Sequence, residues 1–376
     1  MGRTSVTQLA TADSLCPTDQ LITGHRLLTT DYSLPLMSQA AYLLRRLWLA
    51  LLVIIGVMII TFVVSRVVPA DPARLYAGAR ANPETIANVE EKLGLNDPLP
   101  IQFLSYVGGV LQGDFGNSFR TKRAISSDLA IFIPATLELV ILAMLLAAAI
   151  GIPVGVIGAA NRGGVIDQLS RVITIAGVSI PAFWLALLLQ LLFFTTLDWL
   201  PLGGRLERTL AITSPIEQIT GFYLIDAALT SNWAAWRSAL LHLILPTLVL
   251  ATYPISLTAR MTRASMLEVL SETYITAAQA AGLSRREILF RLALKNAIIP
   301  TLTSLGLVFA FSITGAILVE IVFSWPGLGS YVTDAIVAAD FPVVMAVTLV
   351  VTVIYVVINL LVDLVQAALD PRIQLG

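Results

Sequence analysis

The sequence predicts an all-α integral membrane protein with six transmembrane helices, on three observations. Hydrophobic residues make up 57% of the 376 residues and charged residues only 12%, whereas ordinary soluble domains carry about 25% charged residues. Six apolar stretches approach the length of a membrane-spanning helix, about 20 residues. Apolar residues cover every side of these stretches, whereas the strands of a membrane barrel alternate polar and apolar residues.

The six apolar stretches divide the chain into segments. In chain order they run approximately over 47–64, 131–158, 172–197, 239–257, 297–322 and 341–364. We therefore expect a polar N-terminal tail, a first transmembrane helix, an extracytoplasmic segment, a five-helix domain and a C-terminal tail, in that order: 1–40, 41–66, 67–130, 131–366 and 367–376.

Basic residues beside the short loops predict the orientation. Arg45 and Arg46 precede the first stretch, and Arg162 and Arg171 lie between the second and third. Six more lie between the fourth and fifth stretches: Arg260, Arg263, Arg285, Arg286, Arg291 and Lys295. The loop 323–340 has no lysine or arginine. Because short cytoplasmic loops are enriched in basic residues, we expect these loops and both termini to be cytoplasmic.

The first 40 residues lack the basic region and apolar core of a secretory signal. Their polar composition predicts a disordered cytoplasmic tail. Met37 is an alternative translation start, directly before the first span.

Composition also limits the possible ligands. The net charge of −1 gives no reason to expect a nucleic-acid partner. A single cysteine, Cys16, excludes an internal disulfide framework, and two histidines, His25 and His242, are too few for a zinc or iron centre. We therefore expect no metal and no cofactor in this chain.

The segment 260–296 between the fourth and fifth stretches carries the most specific local signals. Apolar residues recur at helical spacing from Met266 to Ala278, and Gly282 is placed to end that helix. Ser284 and Glu287 form a capping-box pattern that predicts a second helix. We expect helix, tight corner, helix, with small residues at the corner that permit close approach of another protein. The alternative is an amphipathic hairpin that lies on lipid.

This segment resembles the cytoplasmic EAA loop of the inner-membrane permease subunits of ABC importers, in the dipeptide and oligopeptide branch. The resemblance covers 272–300 and extends to motifs elsewhere: LLRRL (43–47), PADP (69–72), GDFGNS (113–118), PATLEL (134–139), SIPAFW (179–184), FSWPGLG (323–329), NLLVD (359–363) and LDPR (369–372). Two positions depart from the family pattern, since Thr276 replaces the acidic residue of the triplet and Ala281 a basic residue.

The resemblance implies a type I permease fold and a division of labour between subunits. The chain has no G-x-x-x-x-G-K-[ST] segment to hold nucleotide phosphates. It is therefore expected to be non-catalytic, with ATP and Mg²⁺ bound by two separate cytoplasmic ATPase domains. The expected partners are those ATPases, a second and non-identical permease chain, an extracytoplasmic peptide-binding protein and the lipid bilayer.

The family's coupling helix corresponds to the corner of this loop. The residues that the resemblance assigns to ATPase contact are Thr276, Ala277, Ala278, Gln279, Ala280, Ala281, Gly282, Leu283 and Ser284. The resemblance thus implies an importer subunit that forms half of a pathway for di- and oligopeptides.

Two intramembrane carboxylates and one glycine pair are further candidates. Glu138 and Glu320 lie within apolar stretches, so each must face protein or water. Each is interpreted either as part of the transport pathway or as a hydrogen-bonded packing residue. Gly151 and Gly155 form a G-x-x-x-G pattern typical of close helix packing.

Other functions remain open at this point. The same family motifs occur in importers of nickel, glutathione and other small solutes, although the spans contain no cysteine and only one histidine to ligate a metal. A self-contained channel or secondary transporter would need no ATPase. A more distant alternative is an intramembrane serine protease that uses Ser179 and His242.

Overall fold

The computed structural model describes residues 35–67, 72–78, 81–92 and 94–369, and most of them lie in helices. The two predicted tails lie largely outside these residues, as do parts of the motifs at 69–72 and 369–372. In chain order the helices are α1 (Pro35–Val67), α2 (Pro72–Ala77), α3 (Pro83–Lys92), α4 (Leu99–Leu111), α5 (Ile125–Ala160), α6 (Val165–Ser179), α7 (Ala182–Gln190), α8 (Arg208–Thr213), α9 (Tyr223–Leu229), α10 (Trp233–Leu270), α11 (Thr273–Ala280), α12 (Arg285–Glu287), α13 (Leu294–Val322), α14 (Leu328–Val337) and α15 (Phe341–Leu369). Two π-helical turns, Leu191–Thr196 and Ile288–Ala293, extend α7 and join α12 to α13.

The fold is an all-α membrane protein, as predicted. Five segments are long and apolar enough to cross a membrane: Leu44–Arg66, Ile125–Ala160, Trp233–Leu270, Arg285–Val322 and Phe341–Val365. A bent pair, α6 with α7 and its π turn, passes the same test when the two halves are taken together, and counts as the sixth if they form one span. The first helix begins at Pro35, inside the region predicted to be a polar tail.

The third span is broken, whereas the sequence predicted one continuous stretch over 172–197. Its two halves, Val165–Ser179 and Ala182–Thr196, meet at an angle of 99°. Ile180 lies between them with an extended backbone, φ −79° and ψ 123°. Pro181 explains the break, because proline disfavours a helical residue before it and lacks a donor of its own.

The alternation of spans defines two faces of the bundle. One face carries the loop between α5 and α6 and the segment 271–287, which lies between α10 and the second π turn. We call the segment 271–287 the elbow and this face the elbow face. The opposite face carries the segment 197–232, the turn before α14 and the short helices α2 to α4.

The core is built around the contact between α5 and α10. Cβ atoms added at Gly151 and Gly155 would lie 2.8 and 2.6 Å from the Cβ atoms of Thr258 and Thr262. The two backbones can approach this closely because both α5 positions are glycine, which confirms the predicted G-x-x-x-G packing face. Leu139, on the same helix, belongs to the main apolar cluster.

Candidate functional site

The elbow is built by local sequence signals. Helix α10 ends at Leu270, where the Ser271 hydroxyl donates to the backbone oxygen of Glu268 at 2.6 Å. The apolar periodicity predicted a helix that continued through this point. The helix stops because the serine side chain offers its neighbours an alternative hydrogen bond, and α11 begins anew at Thr273.

The predicted corner and second cap are confirmed. Gly282 follows α11 with φ +81°, a conformation that glycine adopts without steric cost. The Ser284 hydroxyl accepts from the Glu287 amide at 3.3 Å, and the Ser284 amide donates to the Glu287 carboxylate at 3.0 Å. This capping box fixes the direction in which the chain returns toward the membrane.

Two buried isoleucines anchor the elbow to the bundle. Ile275 of α11 and Ile288 after α12 are buried in an apolar cluster with Met266 of α10 and Val156 of α5. The Asn296 side-chain amide also donates to the Tyr274 hydroxyl at 2.8 Å. The anchor therefore connects the elbow to the ends of three spans.

The tip of the elbow is exposed. Of the residues assigned to ATPase contact, only Ala278 is partly buried and the other eight are exposed: Thr276, Ala277, Gln279, Ala280, Ala281, Gly282, Leu283 and Ser284. A Cβ atom at Gly282 would meet nothing within 4 Å. The arrangement can thus present a compact surface to another protein while its base stays fixed.

An ion pair links the elbow side of α10 to the broken span. The Arg263 guanidinium donates to both oxygens of Asp167, at 2.6 and 2.9 Å, and Asp167 also accepts from the Gly163 amide at 2.9 Å. Asp167 is buried at the start of α6. A bidentate arginine–carboxylate pair fixes orientation as well as distance, so α6 is coupled to α10 at the elbow face.

Glu138 lies at the other end of the bundle and forms a buried ion pair. Its carboxylate accepts from Arg205 at 2.6 Å and from the Leu224 amide at 2.9 Å. The two residues are only 3% and 5% exposed. Arg205 also donates to the Gly221 oxygen at 3.0 Å and lies 3.6 Å from the centre of the Tyr223 ring.

These contacts favour the packing interpretation of Glu138. Sequence analysis missed Arg205, because it lies in the segment between two spans and carries no motif. A buried carboxylate within a span does signal a nearby cation, and Arg205 is one of the two arginines between α7 and α10, with Arg208.

Glu320 is fully buried and bonds only to neutral groups among the described residues. It accepts from the Thr136 hydroxyl at 2.6 Å and from the Ser330 amide at 3.0 Å, in the first turn of α14. Thr136 in turn accepts from the Leu328 amide at 2.8 Å. The carboxylate therefore satisfies amides at a helix N-terminus, and Gly327 leaves room for it.

Other buried bonds tie the opposite face together. The Trp325 indole donates to the Ala135 backbone oxygen at 3.0 Å, and the Gly204 amide donates to the Phe323 backbone oxygen at 2.8 Å. We call Thr136, Glu138, Arg205, Glu320 and Trp325 the buried polar cluster.

A carboxylate also organises the segment before α9. Asp226 accepts from the backbone amides of Ile219, Thr220 and Gly221 and from the Thr220 hydroxyl, at 2.6 to 3.2 Å. Burial by itself raises the pKa of Asp226, but these hydrogen bonds outweigh it and lower the pKa below its usual value. The charged form holds this turn in place.

The protease alternative finds no geometric support. The Ser179 hydroxyl donates to the backbone oxygen of Ile175 at 2.9 Å, within its own helix. The Nδ1 atom of His242 contacts the Ser238 backbone oxygen at 2.7 Å. Among the described residues no hydrogen bond joins Ser179 to His242, so the two do not form a nucleophile–base pair.

Comparison with protein families decides the class. Residues 151–375 match the family described as "Binding-protein-dependent transport system inner membrane component". Residues 39–140 match the N-terminal region of such a membrane component. The chain belongs to this family. It is thus a multi-pass inner-membrane permease subunit.

Individual relatives extend over nearly the whole chain. The probable D,D-dipeptide transport permease DdpB of Escherichia coli is 47% identical over 88% of this chain and 97% of its own length. The dipeptide transport permease DppB of Alkalihalophilus pseudofirmus is 42% identical over 89% and 99%. DppB of Escherichia coli is 39% identical over 89% and 98%.

One solved structure is also similar, an inward-facing MetNI methionine ABC transporter. It has a TM-score of 0.47 and 17% identity, over 63% of this chain and 93% of that one.

Proposed function

We propose that this chain forms half of the translocation pathway of an ATP-driven importer of di- and oligopeptides, and that its elbow docks into separate ATPase subunits. The observation that carries the proposal is the elbow itself, with an exposed tip of small residues on a base anchored by Ile275 and Ile288. The chain itself is non-catalytic in this proposal, and ATP and Mg²⁺ bind to the partners.

The elbow is built so that a force from a docked partner would be transmitted to the membrane spans. A force on the exposed tip reaches α5, α10 and α13 through the anchor, because buried side chains on all three pack in one cluster. From α10 it reaches α6 through the pair of Arg263 with Asp167. Closure of an ATPase pair would thereby tilt the spans as rigid bodies and switch access to the pathway.

The proposed orientation places the elbow face in the cytoplasm. Eight basic residues lie on or near that face: Arg162, Arg171, Arg260, Arg263, Arg285, Arg286, Arg291 and Lys295. The turn 323–340 on the opposite face has none. Among the short loops this asymmetry follows the positive-inside rule, which the longer segments 67–130 and 197–232, with basic residues of their own, are expected to obey poorly. In this proposal both termini are cytoplasmic because the chain crosses six times.

Peptides are the substrate class that the relatives favour. Three relatives at 47%, 42% and 39% identity are named as dipeptide or D,D-dipeptide permeases. The family description adds a binding protein that delivers the cargo. We propose that the segment 71–128 on the opposite face contacts that protein, and that a second, non-identical permease chain completes the pathway.

Gly282→Asp tests the docking of the elbow. The substitution adds bulk and charge at the exposed corner, so we expect dipeptide uptake to fall at least tenfold while the permease remains in the membrane. ATP hydrolysis by the whole transporter would no longer respond to the loaded binding protein. Uptake of a labelled dipeptide and ATPase activity, both in membrane vesicles, are the measurements.

Gly163→Asp is the matched control. Gly163 also lies on the elbow face, has φ +78° and has no atom within 4 Å of an added Cβ. Backbone strain is therefore similar in the two variants. Because the Gly163 amide donates to Asp167, Gly163→Asn is made as well, since it adds similar bulk without a second carboxylate near the pair of Asp167 with Arg263. Normal dipeptide uptake in Gly282→Asp, or an equal loss in Gly163→Asn, would contradict the coupling role.

Substrate and orientation need separate measurements. Two measurements distinguish the family's cargo classes: growth of a deletion strain on di- to pentapeptides as sole nitrogen source, and uptake of nickel and of glutathione by the same strain. In a Cys16→Ser background, a single cysteine at Gln279 of the elbow and, in a separate variant, one at Asp198 of the opposite face report orientation. We expect a membrane-impermeant thiol reagent to label intact cells at 198 and not at 279.

A further inference from the structure

A cavity of about 430 Å³ lies on the opposite face, away from the elbow and from the buried polar cluster. It opens between the end of α1, helix α4, the loop 114–119 and the start of α15. Phe62 of α1 joins the two helices that frame it, since its ring lies 5.3 Å from the Phe103 ring and 6.2 Å from the Tyr106 ring.

Two polar atoms at this cavity are buried without a hydrogen bond. They are the Nε atom of Arg66 and the hydroxyl of Tyr106. The neighbouring Thr61 hydroxyl donates to the backbone oxygen of Val57 at 2.9 Å. Burial raises the pKa of Tyr106, and a contact with the Thr61 side chain lowers it by less. The phenol is protonated at neutral pH and can donate to a ligand. Buried donors of this kind normally have a partner.

The charges around the cavity favour a ligand with two opposite charges. Within the described residues, no carboxylate forms an ion pair with Arg66, whose guanidinium lies 5.2 Å from the Phe62 ring centre. Asp114 lines the same cavity and uses its Oδ1 atom to accept from the Gly116 amide at 2.8 Å. Serine hydroxyls at 65 and 105 add polar contacts.

The position of the cavity at the end of the first span indicates a depth near the lipid headgroups. Arg66 is the last residue of the first span, whose most apolar window is only 11% buried in protein. Helix α4 has 13 residues, too few to cross a membrane, and exposes Leu104 and Leu111. An apolar helix of this length beside a lipid-facing span is typical of the membrane interface.

We propose that this cavity binds the headgroup of a phospholipid that carries both a phosphate and a primary ammonium group. The phosphate accepts from Arg66 and Tyr106, and the ammonium group lies toward Asp114. Arginine suits the phosphate because its planar fork matches two phosphate oxygens. Aromatic walls, with Phe115, Phe119 and Phe341 among them, contact the glycerol and the first acyl carbons. The site is separate from the elbow and does not depend on the proposed cargo.

Lipid retention by the purified transporter tests this site. The whole complex is reconstituted with equal amounts of phosphatidylethanolamine and phosphatidylglycerol, and the retained lipids are identified by native mass spectrometry. We expect selective retention of phosphatidylethanolamine. Arg66→Gln should reduce it about tenfold, which corresponds to ~1.4 kcal/mol, and Tyr106→Phe should reduce it several-fold. Arg237→Gln, at an exposed arginine near the start of α10, should have no effect.

Competition separates the possible sources of the anion. Displacement of the lipid by inorganic phosphate would show a site for a free anion, and displacement by a dipeptide would show a site for cargo; either result would overturn the proposal. Equal retention of both lipids, or unchanged retention in both Arg66→Gln and Tyr106→Phe, would overturn it as well. Tyr106→Phe keeps the test valid where Arg66→Gln fails to fold, because it removes one hydroxyl only.

Discussion

The two faces of this permease differ in how far their functional side chains are buried. At the elbow face, a tip of mostly small, uncharged residues stays exposed, and an apolar anchor that includes Ile275 and Ile288 holds its base. At the opposite face, the buried polar cluster satisfies its carboxylates inside the protein, with Glu138 and Glu320 both under 4% exposed. The difference shows that the opposite face is fixed by internal contacts and that the elbow tip is not, since exposed contacts cost little to rearrange whereas buried polar networks do not. The exposed tip is the surface that we propose docks to a partner.

The largest expected effect is at the buried ion pair. Arg205→Met leaves the Glu138 carboxylate buried without its cation, so we expect a loss of about 3–5 kcal/mol in the stability of the folded permease. The measurement is the thermal unfolding of the purified protein in detergent. The double variant Glu138→Gln with Arg205→Met should recover most of the loss, because no charge then remains buried. An unchanged unfolding temperature in Arg205→Met would mean that the cluster does not hold this face.

The next effect is at the base of the elbow. Ile275→Ala removes a fully buried side chain, which costs about 2–5 kcal/mol at a buried site. We expect the elbow to open locally, so that limited proteolysis cuts it faster and uptake falls. Leu283→Ala is the control on the exposed tip, where side-chain removal should leave the proteolysis rate unchanged. Equal proteolysis rates of the two variants would show that Ile275 holds the elbow no more firmly than an exposed tip residue does.

A smaller effect is expected where two segments of the opposite face touch. A Cβ atom at Gly203 would overlap the backbone oxygen of Phe323, so Gly203→Ala should destabilise the permease by about 1–3 kcal/mol. Gly315→Ala, in α13 with nothing within 4 Å, should be neutral or slightly stabilising. Thermal unfolding compares the two, and equal values would show that this face is less tightly packed than its contacts indicate.

The smallest effect is expected at the elbow cap. Ser284→Ala removes the hydroxyl of the capping box and should cost about 1 kcal/mol of local helix stability. We expect uptake to fall less than twofold, because the anchor still holds the elbow. A loss as large as that of Gly282→Asp would show that the Ser284 hydroxyl itself contacts the ATPase.

Much of the fold could be predicted because its signals are local. The length of the apolar stretches placed the spans, Gly151 and Gly155 indicated the close contact, and Gly282 with Ser284 and Glu287 indicated the corner of the elbow. Each signal acts through the backbone within a few residues or through the surrounding membrane, so no knowledge of distant contacts was needed.

Helix boundaries predicted from the hydrophobic pattern were wrong where a serine or a proline disturbed the backbone hydrogen bonds. The run from Met266 to Ala278 keeps one helical period, yet Ser271 ends α10 in the middle of it. The apolar stretch 172–197 is continuous in composition, yet Pro181 breaks its backbone. In both cases a hydrogen bond gained or lost by the backbone outweighs the hydrophobic period.

The sequence by itself determined the membrane class, the number of spans and the shape of the elbow, because apolar length and capping chemistry act locally. Only the tertiary structure decided the partners of the buried charges. Arg205 meets Glu138 across 67 residues, and Arg263 meets Asp167 across 96. A charge within an apolar span must find an opposite charge, a polar group or water, but the packing of whole helices selects which one.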